Sequence, residues 1–389
     1  MSAEASPGHV HGLEAARPGP RSHGWALMAG ALLLVALWLL PDLMPAPSGP
    51  VTIELVHGRV AGKIVEMAPG GPTLRVQVLA GQRAGAVLDA WAQGPSGERQ
   101  VPSYEIGDEV VLAISPGETG EYVAVSDRWR APALAWILGL FAAAVTLVGG
   151  WRGIRSLLAL AFTLGVMVRV VVPLLLAGWP PIPVAVVAAA GVNLATILLT
   201  EGVRPTSLAA VAGTAAALLL TAGLAASANA IAAFTAFQGQ EAAGFLQSLG
   251  QGDLDVGGLL LAAVIFGALG VLDDVTVTQA ATVEELAASD PGASPGRLFA
   301  RAMNVGRSHI AATVNTLVLA YAGASLPLLV LFAAGRQEPF LVASGEAVAV
   351  EIVRSLVGGI GIVAAVPFTT AIATLVVSRG RTGTAGAAG

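Results

Sequence analysis

The sequence contains no cysteine, only one lysine and few charged residues of any kind. The absence of cysteine excludes a disulfide framework, a thiolate nucleophile and any cysteine-bound metal or iron–sulfur site. Charged residues make up 12% of the 389 residues, whereas soluble domains carry roughly 25%. Because 55% of the residues are hydrophobic, so little charge cannot cover a water-exposed surface, and the composition indicates a membrane protein.

Long apolar stretches supply the predicted membrane spans, since a bilayer core of ~30 Å needs ~20 apolar helical residues. We therefore predict a polytopic α-helical membrane protein with about eight transmembrane helices. The stretches run at about Trp25–Leu40, Ala131–Gly150, Ser156–Gly178, Ile182–Thr200, Thr206–Ala226, Val256–Val283, His309–Ala334 and Ser355–Val377. The first is short, but Pro41-Asp42-Leu43-Met44-Pro45 is a poor cleavage site, so a retained anchor is favoured over a cleaved signal peptide.

Basic residues orient these spans through the positive-inside rule. With a cytoplasmic N-terminus, the short outer loops hold only Arg336 and Arg354. The inner segments then hold Arg17, Arg21, Arg152, Arg155, Arg204, Arg297, Arg301, Arg307, Arg379 and Arg381. The prediction is a multi-pass protein of the cell (inner or plasma) membrane with both termini cytoplasmic. Its parts are a tail at 1–24, a first helix at 25–40, an outer domain at 48–128, a seven-helix domain at 131–377 and a tail at 378–389.

The predicted outer domain differs from the rest in its periodicity. Thr73–Val78 alternates polar and apolar residues, which is typical of a half-buried strand. Further candidate strands are Ile53–Val65, Val87–Trp91, Glu109–Ile114 and Tyr122–Ser126, separated by Gly, Pro and Ser clusters. We expect a small extracytoplasmic β-rich domain, OB-like in form. It lacks a basic stripe, so we expect no nucleic-acid partner and take oligomerisation or docking as its default role.

The sixth span carries two adjacent acids, Asp273 and Asp274, followed by Thr276, Thr278 and Gln279. An ionisable side chain at membrane depth costs about 3 kcal/mol on insertion scales, so it usually has a partner or a function. Neighbouring helix residues point about 100° apart, so one acid can face a cavity while the other meets a partner. The two are candidate ion-coupling groups. The alternative is a helix that ends near Leu272, with both acids in water.

The seventh span carries a polar face in an otherwise apolar run. His309, Thr313 and Thr316 follow helical spacing on one side. The other polar residues, Asn304, Arg307, Ser308 and Asn315, lie at its start or on an adjacent stripe. Such a face can line a path for an ion, or it can bind neighbouring helices without transporting anything.

Three further features complete the candidate site. Arg169 lies near the middle of the third span, and Asp273 or Asp274 is the natural counter-ion, in either a fixed or a gating ion pair. Asn193 in the fourth span is a candidate path residue, although a role in helix packing is favoured. Before the last span, Glu351 and Arg354 are three residues apart and can pair on one helix face. A solvated amphipathic start of the helix is the favoured interpretation.

Two strings resemble enzyme motifs. Gly292–Gly296 fits the GxSxG pattern but lies in a loop rather than between a strand and a helix. Gly250–Asp253 fits the GxGD of intramembrane proteases but falls in a predicted outer loop. No nucleotide-binding loop or metalloprotease motif occurs. We expect no enzyme activity, no metal and no cofactor.

The stretch from Phe266 to Gln279, together with Asn304 to Ala324 and then Glu351 to Arg354 and the glycines that follow, resembles the YibE/F family of bacterial membrane proteins. The resemblance implies a membrane protein with no defined substrate. Gly270–Asp274 and its surroundings are also similar in order to resistance-nodulation-division exporters. That second resemblance implies a proton-coupling role for Asp273 and Asp274.

The leading hypothesis is a secondary, ion-coupled permease in the lipid bilayer. The alternative is a non-transporting assembly or export accessory protein whose β domain docks a partner. The expected associations are a homo-oligomer or a partner membrane subunit.

Overall fold

The computed structural model of the 389-residue chain describes residues 21–39, 54–63, 74–92, 104–117, 120–234, 255–336 and 338–386. The chain divides into two compact units. One comprises residues 45–147, and the other comprises residues 148–389 together with residues 1–44. Each unit is described by itself below.

The first unit contains one antiparallel sheet of five strands. The strands are β1 (Glu54–Lys63), β2 (Leu74–Val78), β3 (Val87–Ala90), β4 (Glu109–Gly117) and β5 (Gly120–Arg128), in the spatial order β3-β2-β1-β4-β5. A parallel bridge between Trp91 and Ala124 joins the end of β3 to β5, so the sheet curls toward closure. All five strands predicted from the sequence are confirmed, with ends shifted by a few residues.

The core of this sheet follows the alternation in the sequence. Along β2, Leu74, Val76 and Val78 are buried, whereas the intervening residues are exposed. Val110 and Leu112 of β4 join them and are fully buried. Since side chains alternate across a strand, one apolar face is enough to fill the inside of a small curled sheet.

The second unit is built mainly from helices that are long and apolar. The helices in the described ranges are α1 (Arg21–Leu39), α2 (Ala131–Val166), α3 (Val172–Leu176), α4 (Pro181–Thr200), α5 (Pro205–Ala232), α6 (Val256–Ser289), α7 (Pro295–Ala324), α8 (Leu326–Ala334), α9 (Pro339–Ser344) and α10 (Glu346–Gly386). A π-helical turn, Met167–Val171, joins α2 to α3. The first part of α2, up to Leu147, belongs to the other unit.

The described ranges contain five helices long and apolar enough to cross a membrane, or six if α7 and α8 form one bent span. The predicted count of eight is therefore not confirmed. The predicted second and third spans form one helical run, Ala131–Leu176, interrupted by non-helical backbone at Gly150, where φ is 53°. The apolar part of α1 is short, at Met28–Leu39. The predicted seventh span bends by 56° between α7 and α8.

Helix α6 is central in this unit, because it packs against α4, α5, α7 and α10. Its apolar residues Ile265 and Leu272 are fully buried in the largest core cluster. Helices α5 and α10 approach each other closely at two glycines. A Cβ atom added to Gly213 would collide with Thr369, and one added to Gly361 would collide with Thr221. Small residues of this kind let membrane helices pack backbone against backbone.

Candidate functional site

The site centres on Asp273, which lies half-buried on α6 where this helix packs against α4. The Asn193 amide donates a hydrogen bond to Oδ1 of this carboxylate. The Thr196 hydroxyl, one turn further along α4, donates to Oδ2 at 3.1 Å. Both carboxylate oxygens are therefore held by α4, and we call Asp273, Asn193 and Thr196 the carboxylate cluster.

The depth of this cluster follows from the length of α4. Its 20 residues extend about 30 Å, which matches the thickness of a bilayer core. Asn193 precedes the last residue of α4 by seven positions, so it lies about 10 Å inside that end of the helix. The carboxylate cluster is therefore inside the helix bundle and not beyond a helix end. The alternative in which α6 stops near Leu272 is wrong, because α6 continues to Ser289.

Asp274 has different surroundings from its neighbour. Its side chain is exposed on the outside of α6, whereas Asp273 faces α4. His309 on α7 is a neighbour of Asp274. The two acids thus diverge as helix geometry predicts, and they have separate polar neighbours.

Beyond the acids, two polar residues tie α6 to its other neighbours. The hydroxyls of Thr276 and Thr214 on α5 are hydrogen-bonded at 2.7 Å, and both residues are fully buried. The Gln279 amide donates to the Ala302 carbonyl of α7 at 3.1 Å and to the Thr370 hydroxyl of α10 at 2.7 Å. Here Thr276 and Gln279 connect helices, whereas Thr278 is exposed.

Sequence reasoning missed Thr196, Thr214 and Thr370. The signal that could have found them is a small hydroxyl residue in an apolar span, which commonly bonds across helices. That signal is weak because such hydroxyls also bond to their own helix, as Thr200 does at 3.0 Å from the Thr196 carbonyl.

The polar face predicted on α7 exists, but its bonds are largely internal. The hydroxyl of Thr313 donates to the His309 carbonyl at 2.8 Å, and that of Thr316 donates to the Ala312 carbonyl at 3.0 Å. Arg307 donates to the Asn304 side chain at 3.1 Å. The residues exposed on the outside of α7 are Asn304, Arg307, Ser308, Asn315 and Thr316, whereas His309 and Thr313 are half-buried.

Arg169 lies in the π-helical turn between α2 and α3 and is half-buried. Such turns are rare and often mark functional positions. Since the bonds that hold Asp273 come from Asn193 and Thr196, a counter-ion role for Arg169 stays a prediction.

Glu351 and Arg354 form an ion pair within α10. Arg354 lies 3.0 Å from the Glu351 carboxylate, and its guanidinium is 5.8 Å from the centre of the Tyr321 ring on α7. Both charged side chains are mostly buried, at 17% and 24% exposure, so the pair connects α10 to α7 rather than forming a fully solvated helix start.

The enzyme-like strings have separate outcomes. Ser294 of the GxSxG string is the N-cap of α7, and its hydroxyl accepts from the Arg297 backbone N–H at 3.4 Å. The GxGD string at 250–253 lies outside the described residues. Within the described ranges, no three His, Asp or Glu side chains lie together in a way that could hold a metal ion.

Apolar helices of this length, packed around a buried polar cluster, define a polytopic helical membrane protein. The family model described as YibE/F-like protein matches residues 137–379, which is more than half of the chain. The chain belongs to the YibE/F-like family. Searches of curated proteins and of solved structures each found no match.

Proposed function

We propose that this membrane protein is a secondary, ion-coupled transporter in which Asp273 is the coupling carboxylate. The observation that carries the proposal is the carboxylate cluster itself. A carboxylate inside a helix bundle is costly, and this one is held by an amide and a hydroxyl. Neither is a fixed cation, so a proton or another small cation can supply the missing positive charge reversibly.

Asp274 and His309 would form a second ion-binding site, outside the carboxylate cluster. Asp274 is exposed, and its neighbour His309 belongs to the polar face of α7, which also includes Ser308 and Asn315. This arrangement favours a role for Asp274 in ion passage along α7. Its contribution would be smaller than that of Asp273, because Asp274 lies outside the carboxylate cluster. Arg169 would act on the two acids as a regulating counter-charge.

The test is proton flux into proteoliposomes that contain the full-length protein. Asp273→Asn keeps the shape of the side chain and removes its charge, so we expect flux to fall to the level of empty liposomes. Asp274→Asn should retain measurable flux. Glu285→Gln is the matched control, because Glu285 is an exposed acid on the same helix and its replacement should leave flux unchanged. Normal flux in the Asp273→Asn protein would refute the mechanism.

The proposal includes the finer topology. The run Ala131–Leu176 has 46 residues and is about 69 Å long if fully helical, twice what one crossing needs. Two crossings separated at Gly150, together with α1, support eight spans with cytoplasmic termini in the cell membrane. The five-stranded curled sheet with its Trp91–Ala124 bridge supports an extracytoplasmic OB-like domain. Reagent labelling of introduced cysteines in intact cells would test each loop.

A non-transporting assembly role is the second candidate. The observation that favours it is the exposed apolar side chains of the β unit, Leu55, Val87 and Ile106, which are 54–67% exposed. Such side chains suit contact with another chain. Crosslinking of the full-length protein in membranes, lost on Leu55→Ser and Ile106→Ser substitution while no ion flux is found, would favour this role over transport.

A further inference from the structure

A pocket open on one side lies between α5, α6 and the loop that follows α4. Its empty volume, counted together with the open solvent at the mouth, is about 260 Å³, and its charged lining residues are Glu201, Arg204 and Glu284. Thr206 and Ser207, in the first turn of α5, line it and are themselves buried. The rest of the lining is apolar and is formed by Ala210, Val277, Ala280 and Ala281.

One lining residue of this pocket is close in sequence to the carboxylate cluster. Val277 lines the pocket, and it follows Asp273 on α6 by four residues, which is one helical turn or about 6 Å. At the same level, the hydrogen-bonded pair Thr214 and Thr276 closes the contact between α5 and α6. The lining of the pocket therefore lies about one helical turn from Asp273 on the same helix.

An ion pair spans the mouth of the pocket. The Arg204 guanidinium is hydrogen-bonded to Oε1 of Glu284, and the Thr206 hydroxyl donates to Oε2 of the same carboxylate at 3.0 Å. This contact ties the start of α5 to α6 across the opening. Its side chains are partly exposed, at 53% for Arg204 and 36% for Glu284, so the tie is weak enough to open.

We propose that this pocket is the aqueous mouth through which a proton or small cation reaches Asp273, and that the Arg204–Glu284 ion pair is the latch that closes it. The inference rests on the proposed function and adds the route and its control. Glu201 and Glu284 at the rim would attract cations and repel anions. Opening requires the start of α5 to move away from α6, which the latch opposes.

The experiment uses the complete absence of cysteine from the chain, since any introduced cysteine is the only thiol. Val277→Cys is placed in the full-length protein in liposomes, and its reaction with a small cationic methanethiosulfonate reagent is timed. Adding Glu284→Gln to this variant should raise the reaction rate roughly two- to fivefold, the effect of losing one partly exposed ion pair. Arg204→Gln should do the same, and this second variant guards against a folding defect in the first.

Matched controls separate the latch from general loosening. Glu285→Gln removes an exposed charge from the next position of α6 and should leave the rate at Val277→Cys unchanged. Leu219→Cys, on the outside of α5 with 63% exposure, should react slowly in every background, because it faces lipid.

The outcomes distinguish this inference from the proposed function. Equal reaction rates at Val277→Cys with and without the latch would refute the proposed role of the pocket as an aqueous mouth. This conclusion would hold whatever Asp273→Asn does to flux. Suppose instead that the reaction rate depends on the latch, but that modifying the cysteine at position 277 leaves flux intact. The pocket would then open without leading to Asp273, and this result would also overturn the inference. Supporting results are a faster reaction without the latch and loss of flux on modification.

Discussion

The β unit and the helical unit use polar groups in opposite ways. In the β unit the charged pairs lie on the surface: Arg83 and Glu121 are 2.6 Å apart, as are Arg130 and Asp127. In the helical unit Thr276 and Gln279 are buried and hydrogen-bonded to other helices. Water drives the first unit to bury apolar surface, whereas lipid offers helices no such force, so packing and buried polar contacts decide their arrangement.

The largest expected difference is between buried leucines. Leu112→Ala in β4, where the side chain is fully buried, should lower the free energy of unfolding of the β unit by about 2–5 kcal/mol. Leu218→Ala in α5, equally buried, should cost roughly half as much, because the unfolded helix keeps its leucine in lipid. Hydrogen exchange of the strands and detergent-driven unfolding of the helices measure the two values. Equal costs would contradict the distinction.

Overpacking should come next and should act on the helical unit. Gly213→Ala places a Cβ against Thr369 on α10, and it should destabilise the bundle by about 1–3 kcal/mol. Gly223→Ala on the same helix has open space around the added atom. That control should be neutral or slightly stabilising, and detergent unfolding midpoints compare the two. A similar loss in both variants would show that the close contact with Thr369 does not set the effect.

Single buried hydrogen bonds should have a smaller effect. Thr276→Val removes the bond to Thr214 with little change of shape, and it should cost about 1 kcal/mol. Thr278→Val, at an exposed position two residues away, should change the unfolding midpoint very little. If the two substitutions were equivalent, the bond between α5 and α6 would carry no stability.

The smallest effect should be that of the surface charges. The bond from Arg83 lowers the pKa of Glu121 below its usual value of 4.5, and Arg59 lowers the pKa of Glu109 in the same way. Since these acids are ionised in the folded state, their stabilisation is present above pH 4.5 and is lost as the pH falls through the lower folded pKa. Glu121→Gln should slightly reduce the loss of stability at acid pH, measured by hydrogen exchange of β5. A larger loss of stability at acid pH in this variant would contradict the expected direction.

Local patterns were sufficient to predict the strands, the apolar helices, the acid pair and the Glu351–Arg354 pair. Each depends on residues close in sequence, where alternation or helical spacing fixes which side chains share a face. The pairing of Asp273 with Asn193 and Thr196 could not be predicted from the sequence, because it depends on which turn of α4 lies beside α6. The number of spans could not be predicted from the sequence either, since hydropathy does not show whether the backbone at Gly150 breaks a helix or ends a span.

The sequence by itself determined that this chain is a membrane protein of the YibE/F-like family with a small β unit and two acids in an apolar helix. Only the tertiary structure decided that one acid faces inward and the other outward, and that a pocket has a lining residue one turn from the inner one. The physical reason is that burial and hydrogen bonding are properties of neighbouring helices. Charge and hydropathy are carried by each residue, but a partner from 80 positions away is assigned only when the helices pack.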